Sequence, residues 1–166
     1  MADERPSQSR APGGPHHLLG RLVGSWTGTT RTWFVPDKLA DESPSRARIR
    51  QALDGRFVVL EYEGAMKGKP LFGMAIIGYH IDAALYTMAW VDSFHLGTAT
   101  MHSEGEPREN GFSVLGHYDV PQSEPWGWRT ELALTSENRL VLTAYNIPPG
   151  GQEAKALESV YTRVPA

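Results

Sequence analysis

Residues 84–101 read ALYTMAWVDSFHLGTATM, and the fold class and the candidate site both follow from this stretch. Two runs rich in aromatic and β-branched side chains flank a short polar segment, a pattern typical of two strands joined by a turn. With a period of two, Tyr86, Met88, Trp90 and Asp92 share one face of the first strand. Because this face combines large apolar side chains with a single carboxylate, we predict that it lines an interior cavity.

His95 comes three residues after Asp92, beyond a bend expected at Phe94. A histidine beside a carboxylate can act as a general base or as an oriented hydrogen-bond donor. The alternative is that Asp92 and Ser93 cap the turn while His95 is solvated at the rim, and both interpretations stay open here. His95 joins Trp90 and Asp92 only if the turn folds it back over the mouth of the cavity.

The strand pattern continues through the rest of the chain. Turn signals such as Asp54-Gly55 and Asn110-Gly111 separate the alternating segments. The pattern predicts ten strands, over residues 25–35, 46–53, 56–66, 71–80, 85–94, 98–104, 112–119, 128–135, 139–146 and 154–164. Because the connections are short, an all-β, antiparallel up-and-down β-barrel is favoured over a sandwich. We expect the longest early connection, residues 36–44, to be a polar loop. A barrel of about ten strands can hold a small ligand.

The N-terminal region predicts a tail followed by a cap. Residues 1–15 are rich in proline, glycine and serine, so we expect a disordered tail. Residues 16–23 place four apolar side chains on one face of two helical turns. We predict a short helix that closes one end of a single barrel domain, residues 16–166. Trp26 then packs at the closed end, its indole N–H on a carbonyl or an arginine, and Arg163 is the candidate arginine.

Composition limits the classes of function. The formal net charge is -3 and no basic run occurs, so no nucleic-acid partner is expected. No apolar run approaches the roughly 20 residues of a membrane helix and no signal peptide is recognisable, so we expect no membrane partner and a cytoplasmic protein. The absence of cysteine removes disulfides and thiolate chemistry and fits a reducing compartment.

Few chemical motifs are present. The six histidines match no recognised ligand spacing, which leaves a metal site open without predicting one. No glycine-rich phosphate loop opens a helix, and no nucleophile elbow occurs. We therefore predict neither a metal nor a cofactor.

Strand parity and side-chain character select the candidate ligand-binding residues, which are Trp90, Tyr86, Met88, Phe72, Met74, Glu61, His117 and Trp128. We predict that they bind a small, largely apolar ligand in the barrel cavity. The alternative is a cofactor-free cyclase or isomerase in which Asp92 and His95 are catalytic and move protons. A homodimer is a further expectation.

The sequence also resembles known families. The run GSWTG at 24–28, after a short apolar helix, is similar to the first-strand signature of calycins, the superfamily of lipocalins and fatty-acid-binding proteins. More closely, the chain resembles a bacterial family of domains of unknown function, number 1579. The matching segments are LVGSWTG at 22–28, DESP at 41–44, GRF at 55–57, GY at 78–79, AWVDSFH at 89–95 and ESVYTR at 158–163. This resemblance implies a lipocalin-like barrel and no particular reaction.

A neighbouring calycin family, the haem-binding nitrobindins, shares the Gly-x-Trp-x-Gly opening and implies haem binding as a second alternative. The chain departs from that family where a third glycine is expected, at Thr30, and it has no histidine after His117 for the proximal position. Haem needs an axial ligand, and Tyr161 is the remaining candidate in the C-terminal strands.

Overall fold

The computed structural model describes residues 5–166, which form two short helices and eleven antiparallel strands. The helices are α1 (Arg5–Arg10) and α2 (Pro15–Leu22). The strands are β1 (Gly24–Val35), β2 (Lys38–Ala52), β3 (Phe57–Met66), β4 (Lys69–His80), β5 (Leu85–Asp92), β6 (Met101–Gly105), β7 (Pro107–Arg108), β8 (Gly111–Tyr118), β9 (Trp126–Ser136), β10 (Arg139–Ile147) and β11 (Ala154–Arg163).

Ten of these strands close into an up-and-down barrel, which confirms the predicted fold class. Strands that are adjacent in the sequence pair with each other, except β6 and β7. In addition, β1 pairs with β11 and β6 pairs with β8. The second of these pairings joins Ser103 to Gly116 and closes the cylinder. The two-residue strand β7 only extends the hairpin that leads into β8.

Tight turns set the register of the hairpins. Asp54 and Gly55 have φ angles of 57° and 73°, and Lys67 and Gly68 have φ angles of 49° and 77°. Two successive residues with positive φ match the right-handed twist of the flanking strands. The turn predicted at Asp54-Gly55 is therefore confirmed, and it joins β2 to β3.

One element differs from the sequence-based expectation. Residues 36–44 were expected to be a polar loop, but β2 begins at Lys38 and runs through Pro44. Pro44 is opposite Thr29 of β1, whereas the pairing of β2 with β3 starts only at Arg46. Proline is tolerated here because β2 has a partner on one side only at this point, so no ladder hydrogen bond is lost.

The closed end of the barrel is built around Trp26, as predicted. Its indole N–H donates to the Leu22 carbonyl of α2 at 3.0 Å, and the Arg163 guanidinium lies 4.2 Å from the ring centroid. Arg163 also donates to the carbonyls of Val23 and Arg21 at 2.6 and 2.7 Å. Helix α2 buries Leu22 completely and caps the barrel, as its apolar face predicted.

The N-terminal segment is more ordered than its composition indicates. Residues 1–4 of the expected disordered tail lie outside the described residues. Residues 5–10 form α1, in which Ser9 is buried and meets His16 Nδ1 at 3.0 Å. Arg10 of the same helix donates to the Asp54 carbonyl at 2.8 Å. These contacts order a segment whose proline and serine content favoured disorder.

Candidate functional site

A cavity of about 70 Å³ lies in the lumen of the barrel. On one side its wall is apolar and aromatic, and the main contributors are Leu60, Met88, Trp90, Trp128, Leu132 and Leu142. A single water needs roughly 10–15 Å³ of such space, so the cavity has room for on the order of five water molecules. The site is therefore small and largely apolar.

The opposite wall carries hydroxyl groups from β1, β2 and β11. Thr30 and Ser159 form a hydrogen bond of 2.7 Å, and Ser45 and Tyr161 form one of 2.8 Å. Ser45 also donates to the Glu63 carbonyl at 3.2 Å. This hydroxyl wall, Thr30, Thr32, Ser45, Ser159 and Tyr161, was not predicted from the sequence. The available signal was the run of serine and threonine at alternate positions of strands that pair with one another.

Trp90 is the central aromatic residue of the cavity. Its ring stacks on Trp128 with centroids 5.7 Å apart, and its indole N–H donates to the Tyr62 hydroxyl at 2.7 Å. The Tyr62 ring lies across Gly73, where a Cβ atom would be only 2.0 Å from Tyr62 Cζ. Tyr62 is a lining residue that the sequence analysis did not select.

Asp92 ends β5 and organises the loop that follows. Its Oδ1 atom accepts the backbone N–H groups of Phe94, His95 and Leu96, at 3.2, 2.6 and 3.2 Å. The side chain of Asp92 is fully buried. The turn-capping interpretation of Asp92 is therefore correct, and the predicted interior position is correct as well. We refer to residues 93–100, which connect β5 to β6, as the lid loop.

His95 is folded back over the mouth of the cavity. Its Nδ1 atom meets Asp92 Oδ2 in a short hydrogen bond, and only 16% of its side chain is exposed. The imidazole packs against Trp90 and Trp128, each with a centroid separation of 5.5 Å. The expectation of a solvated His95 at the rim is thus wrong. The bend at Phe94 brings His95 to Trp90 and Asp92.

The carboxylate fixes the chemistry available to His95. When the imidazole carries a single proton and donates it from Nδ1 to Asp92, its lone pair is on Nε2. Nε2 has no hydrogen-bond partner among the residues that the structure describes. Burial tends to raise the pKa of Asp92, but the hydrogen bond and charge of His95 together with the backbone N–H groups outweigh it, and the pKa lies below its ordinary value. Asp92 therefore stays ionised and orients His95.

A second space of about 280 Å³, the vestibule, lies outside the lid. Trp33, Phe34, Phe94, Tyr118 and Asn146 form its walls, and Trp90, His95 and Trp128 separate it from the lumen cavity. The hydroxyl of Tyr118 donates to Asn146 Oδ1 at 2.7 Å.

Of the other sequence-predicted residues, Met88 and Trp128 line the cavity, and Tyr86 faces inward below it. Tyr86 stacks on Phe112 with centroids 4.6 Å apart and belongs to the packed core of the closed end. Its prediction as a lumen-facing residue is correct, but it does not contact the cavity.

Four predicted ligand-binding residues lie on the outer surface, so their prediction as residues that line the lumen was wrong. They are Phe72, Met74, Glu61 and His117. Tyr62 is opposite Gly73 and Leu60 is opposite Ala75 in the β3–β4 register, so these are the inner positions. Both faces of β3 and β4 carry apolar side chains, and Gly73 of β4 faces inward beneath the Tyr62 ring.

The haem alternative does not fit these residues. Tyr161, the candidate axial ligand, is buried and bonded to Ser45, and the lumen cavity is far smaller than a porphyrin needs. Among residues 5–166, no group of three histidine, cysteine, aspartate or glutamate side chains is placed to hold a metal ion. Nor does this part of the chain contain a helix long and apolar enough to cross a membrane.

Comparisons with known proteins agree with the architecture. The chain matches the sequence family described as "Protein of unknown function (DUF1579)" over residues 11–163. The crystal structure of Rv2717c from M. tuberculosis is similar with a TM-score of 0.63 and 12% identity, covering 92% of this chain and 99% of that one. The S-type phycobiliprotein lyase CPES from Guillardia theta is similar with a TM-score of 0.61 and 12% identity, covering 99% of both chains. At such identities the likeness shows the fold alone. No curated protein matches the chain in sequence.

Proposed function

The chain belongs to the DUF1579 family of proteins of unknown function, and we propose that it binds a small, largely apolar ligand in the barrel cavity. The observation that carries this proposal is a lumen cavity with an aromatic wall. Among the described residues that line it, His95 is the only side chain with an ionisable nitrogen or a carboxylate. A packed structural barrel would fill this volume with side chains. Apolar walls with a few fixed polar groups are typical of small-molecule sites.

The size of the ligand depends on the lid loop. With His95 in place, the lumen accepts only a molecule of a few heavy atoms. If His95 swings outward, the vestibule adds space that is also lined by aromatic rings. The ligand then extends from the hydroxyl wall past Trp90 and Trp128 to the mouth. The similarity to the phycobiliprotein lyase shows only a shared fold, so we infer ligand binding from the cavity.

A pair of matched variants tests the proposal. Ala75→Leu adds volume inside the lumen, whereas Ala89→Leu adds the same volume on the outer face of the neighbouring strand. Each protein is purified without denaturation and analysed by native mass spectrometry. We expect a small molecule bound to the wild type and to Ala89→Leu, and none bound to Ala75→Leu. Equal occupancy in both variants would place the ligand elsewhere, and no bound molecule in any of the three proteins would count against ligand binding.

The hydrogen bond between Asp92 and His95 favours a second candidate, a cofactor-free cyclase or isomerase. In this scheme Nε2 of His95 takes a proton from the ligand, while Asp92 holds the opposite nitrogen and stabilises the charged ring. Asp92 is not itself the base, because both of its oxygens already accept hydrogen bonds.

Deuterium exchange separates this enzyme from a simple binding protein. The compound released from the wild type is incubated with fresh protein in D₂O, and carbon-bound deuterium is followed by NMR. An enzyme would exchange protons in the wild type and lose the exchange in His95→Gln, with a smaller loss in Asp92→Asn. Binding without exchange in the wild type would rule out the enzyme and leave the binding proposal intact.

A further inference from the structure

The hydroxyl group of Tyr62 does not donate a hydrogen bond to any described residue. Its oxygen accepts the Trp90 indole N–H at 2.7 Å, and no acceptor for its own O–H lies among the described residues. The other phenol in the cavity differs in this respect. Ser45 donates to the Glu63 carbonyl, so Tyr161 donates its proton to Ser45. Tyr62 therefore has an unused hydrogen-bond donor on the cavity wall.

The structure holds this donor in a fixed position. The Tyr62 ring lies over Gly73, and a residue with a Cβ atom could not occupy that position without moving it. The Trp90 N–H fixes the oxygen from the other side and polarises the O–H group. Burial, followed by the nearby Asp92 carboxylate, raises the pKa of Tyr62, so the hydroxyl keeps its proton in neutral solution. A donor fixed before binding costs little ordering entropy when it is used.

The rest of the lumen restricts the charge of the ligand. Apart from His95 at the mouth, the cavity is lined by hydroxyl, aromatic and aliphatic groups. An ionised group placed deep in the lumen, away from His95, would have no counter-charge among the described lining residues, and its burial would be very costly. The hydroxyl wall can instead contact a neutral polar edge of a molecule.

We propose that the lumen selects an uncharged ligand with an apolar body and a carbonyl-type acceptor oxygen, which the Tyr62 hydroxyl binds. This inference rests on the ligand binding proposed above and names the chemical class of that ligand. Tyr62 sets the specificity, because a ligand without an acceptor leaves a polarised O–H group unpaired in an apolar site.

Two probes of equal shape test the proposal. Cyclobutanone carries the acceptor oxygen, and methylenecyclobutane replaces that oxygen with CH₂. Each is titrated into ¹⁵N-labelled protein, and the indole N–H signals of Trp90 and Trp128 report the dissociation constants. We expect the wild type to bind cyclobutanone about three- to tenfold more tightly than methylenecyclobutane. Tyr62→Phe should lose this preference through weaker ketone binding. Tyr145→Phe, on the outer surface, should retain it.

The outcomes distinguish the two proposals. If both probes bind the wild type equally, or if Tyr62→Phe keeps the preference, the inference about the acceptor oxygen is wrong and ligand binding stands. If neither probe perturbs the wild-type signals, the ligand-binding proposal fails, and this inference fails with it. Gly73→Ala gives an independent test, since it displaces the Tyr62 ring while leaving the hydroxyl in the protein. It should lose the ketone preference to a similar degree.

Discussion

Asp92 binds three backbone N–H groups and one imidazole with a single carboxylate. Because these partners favour the charged form, its pKa in the folded protein lies below the ordinary value of 3.8. Ionised Asp92 therefore stabilises the fold above that pH, and this stabilisation is lost as the pH falls through the lowered pKa.

Because the pKa of Asp92 is lowered in the folded protein, the effect of Asp92→Asn on stability depends on pH. At pH 7 we expect the substitution to lower the free energy of unfolding by about 1–3 kcal/mol, because hydrogen bonds to a charged acceptor are lost. Well below pH 3.8 the difference between wild type and variant should shrink, since the wild-type carboxyl is then protonated too. Urea unfolding at both pH values measures this, with the exposed Asp119→Asn as the control. An effect that is the same at both pH values would contradict the assignment.

The contact between Tyr62 and Gly73 gives a second prediction at a single pair of residues. Gly73→Ala should destabilise the protein by about 1–3 kcal/mol, because the new methyl group overlaps the Tyr62 ring. In a Tyr62→Ala background the same change should be neutral or slightly stabilising, because alanine is less costly than glycine in a strand. Denaturant unfolding of the four proteins measures this coupling. Simple additivity of the two changes would show that the ring and the glycine do not interact.

Single residues could be assigned from sequence where one face of a strand was clearly distinct. Trp26, Arg163 and Trp90 lie where their spacing predicted. Tyr62 was missed because β3 carries apolar side chains at both parities, with Val58 and Leu60 on one face and Phe57 and Val59 on the other. Only the register with β4 shows that the Tyr62 face is the inner one.

Among the elements, β4 and the lid loop were the hardest to predict, for different reasons. The outer face of β4 carries Phe72, Met74 and Ile76, whereas Leu71, Ile77 and Tyr79 face inward together with Ala75 and with Gly73, which lies beneath the Tyr62 ring. Because large apolar side chains occur at both parities, a hydrophobicity pattern does not distinguish the two faces of this strand. The position of His95 depends on a turn held by Asp92, and both the folded-back and the solvated position were compatible with the sequence.

The lid loop should open as a unit when its anchor is removed. In Asp92→Asn we expect faster hydrogen exchange at the amides of Phe94, His95 and Leu96, because their acceptor is weakened. The amides of β5 up to Val91 should keep their protection, since strand pairing holds them. Hydrogen exchange read by NMR measures both sets. Faster exchange along the whole of β5 would mean that Asp92 stabilises the strand and not the loop.

For the molecule as a whole, the order of the strands followed from the turn signals, and the presence of a lumen followed from the number of strands. The division of the interior into a packed closed end and an open part could not be predicted from the sequence. Side chains fill the closed end around Trp26 and Tyr86, and the open part is limited to the half near the mouth. The helix that closes one end was predicted from its apolar face, but the aromatic stacks that fill the interior are long-range contacts without a local sequence pattern.

Arg163 connects the last strand, the first strand and α2, so its loss should affect the entire barrel. Its guanidinium stacks on Trp26 and donates to the carbonyls of Arg21, Val23 and Glu137. Removing a cation–π contact and several charge-assisted hydrogen bonds should cost about 2–4 kcal/mol in Arg163→Ala.

Arg163→Lys tests whether charge or shape is responsible. Lysine keeps the charge but cannot reach three carbonyls in the plane of a guanidinium fork, so we expect it to recover less than half of the loss. Arg48→Ala, on the exposed face of β2, should change stability by no more than about 0.5 kcal/mol. Urea unfolding monitored by tryptophan fluorescence compares the four proteins. Full recovery by lysine would mean that the cation alone closes this end of the barrel, and that the carbonyl contacts contribute little to it.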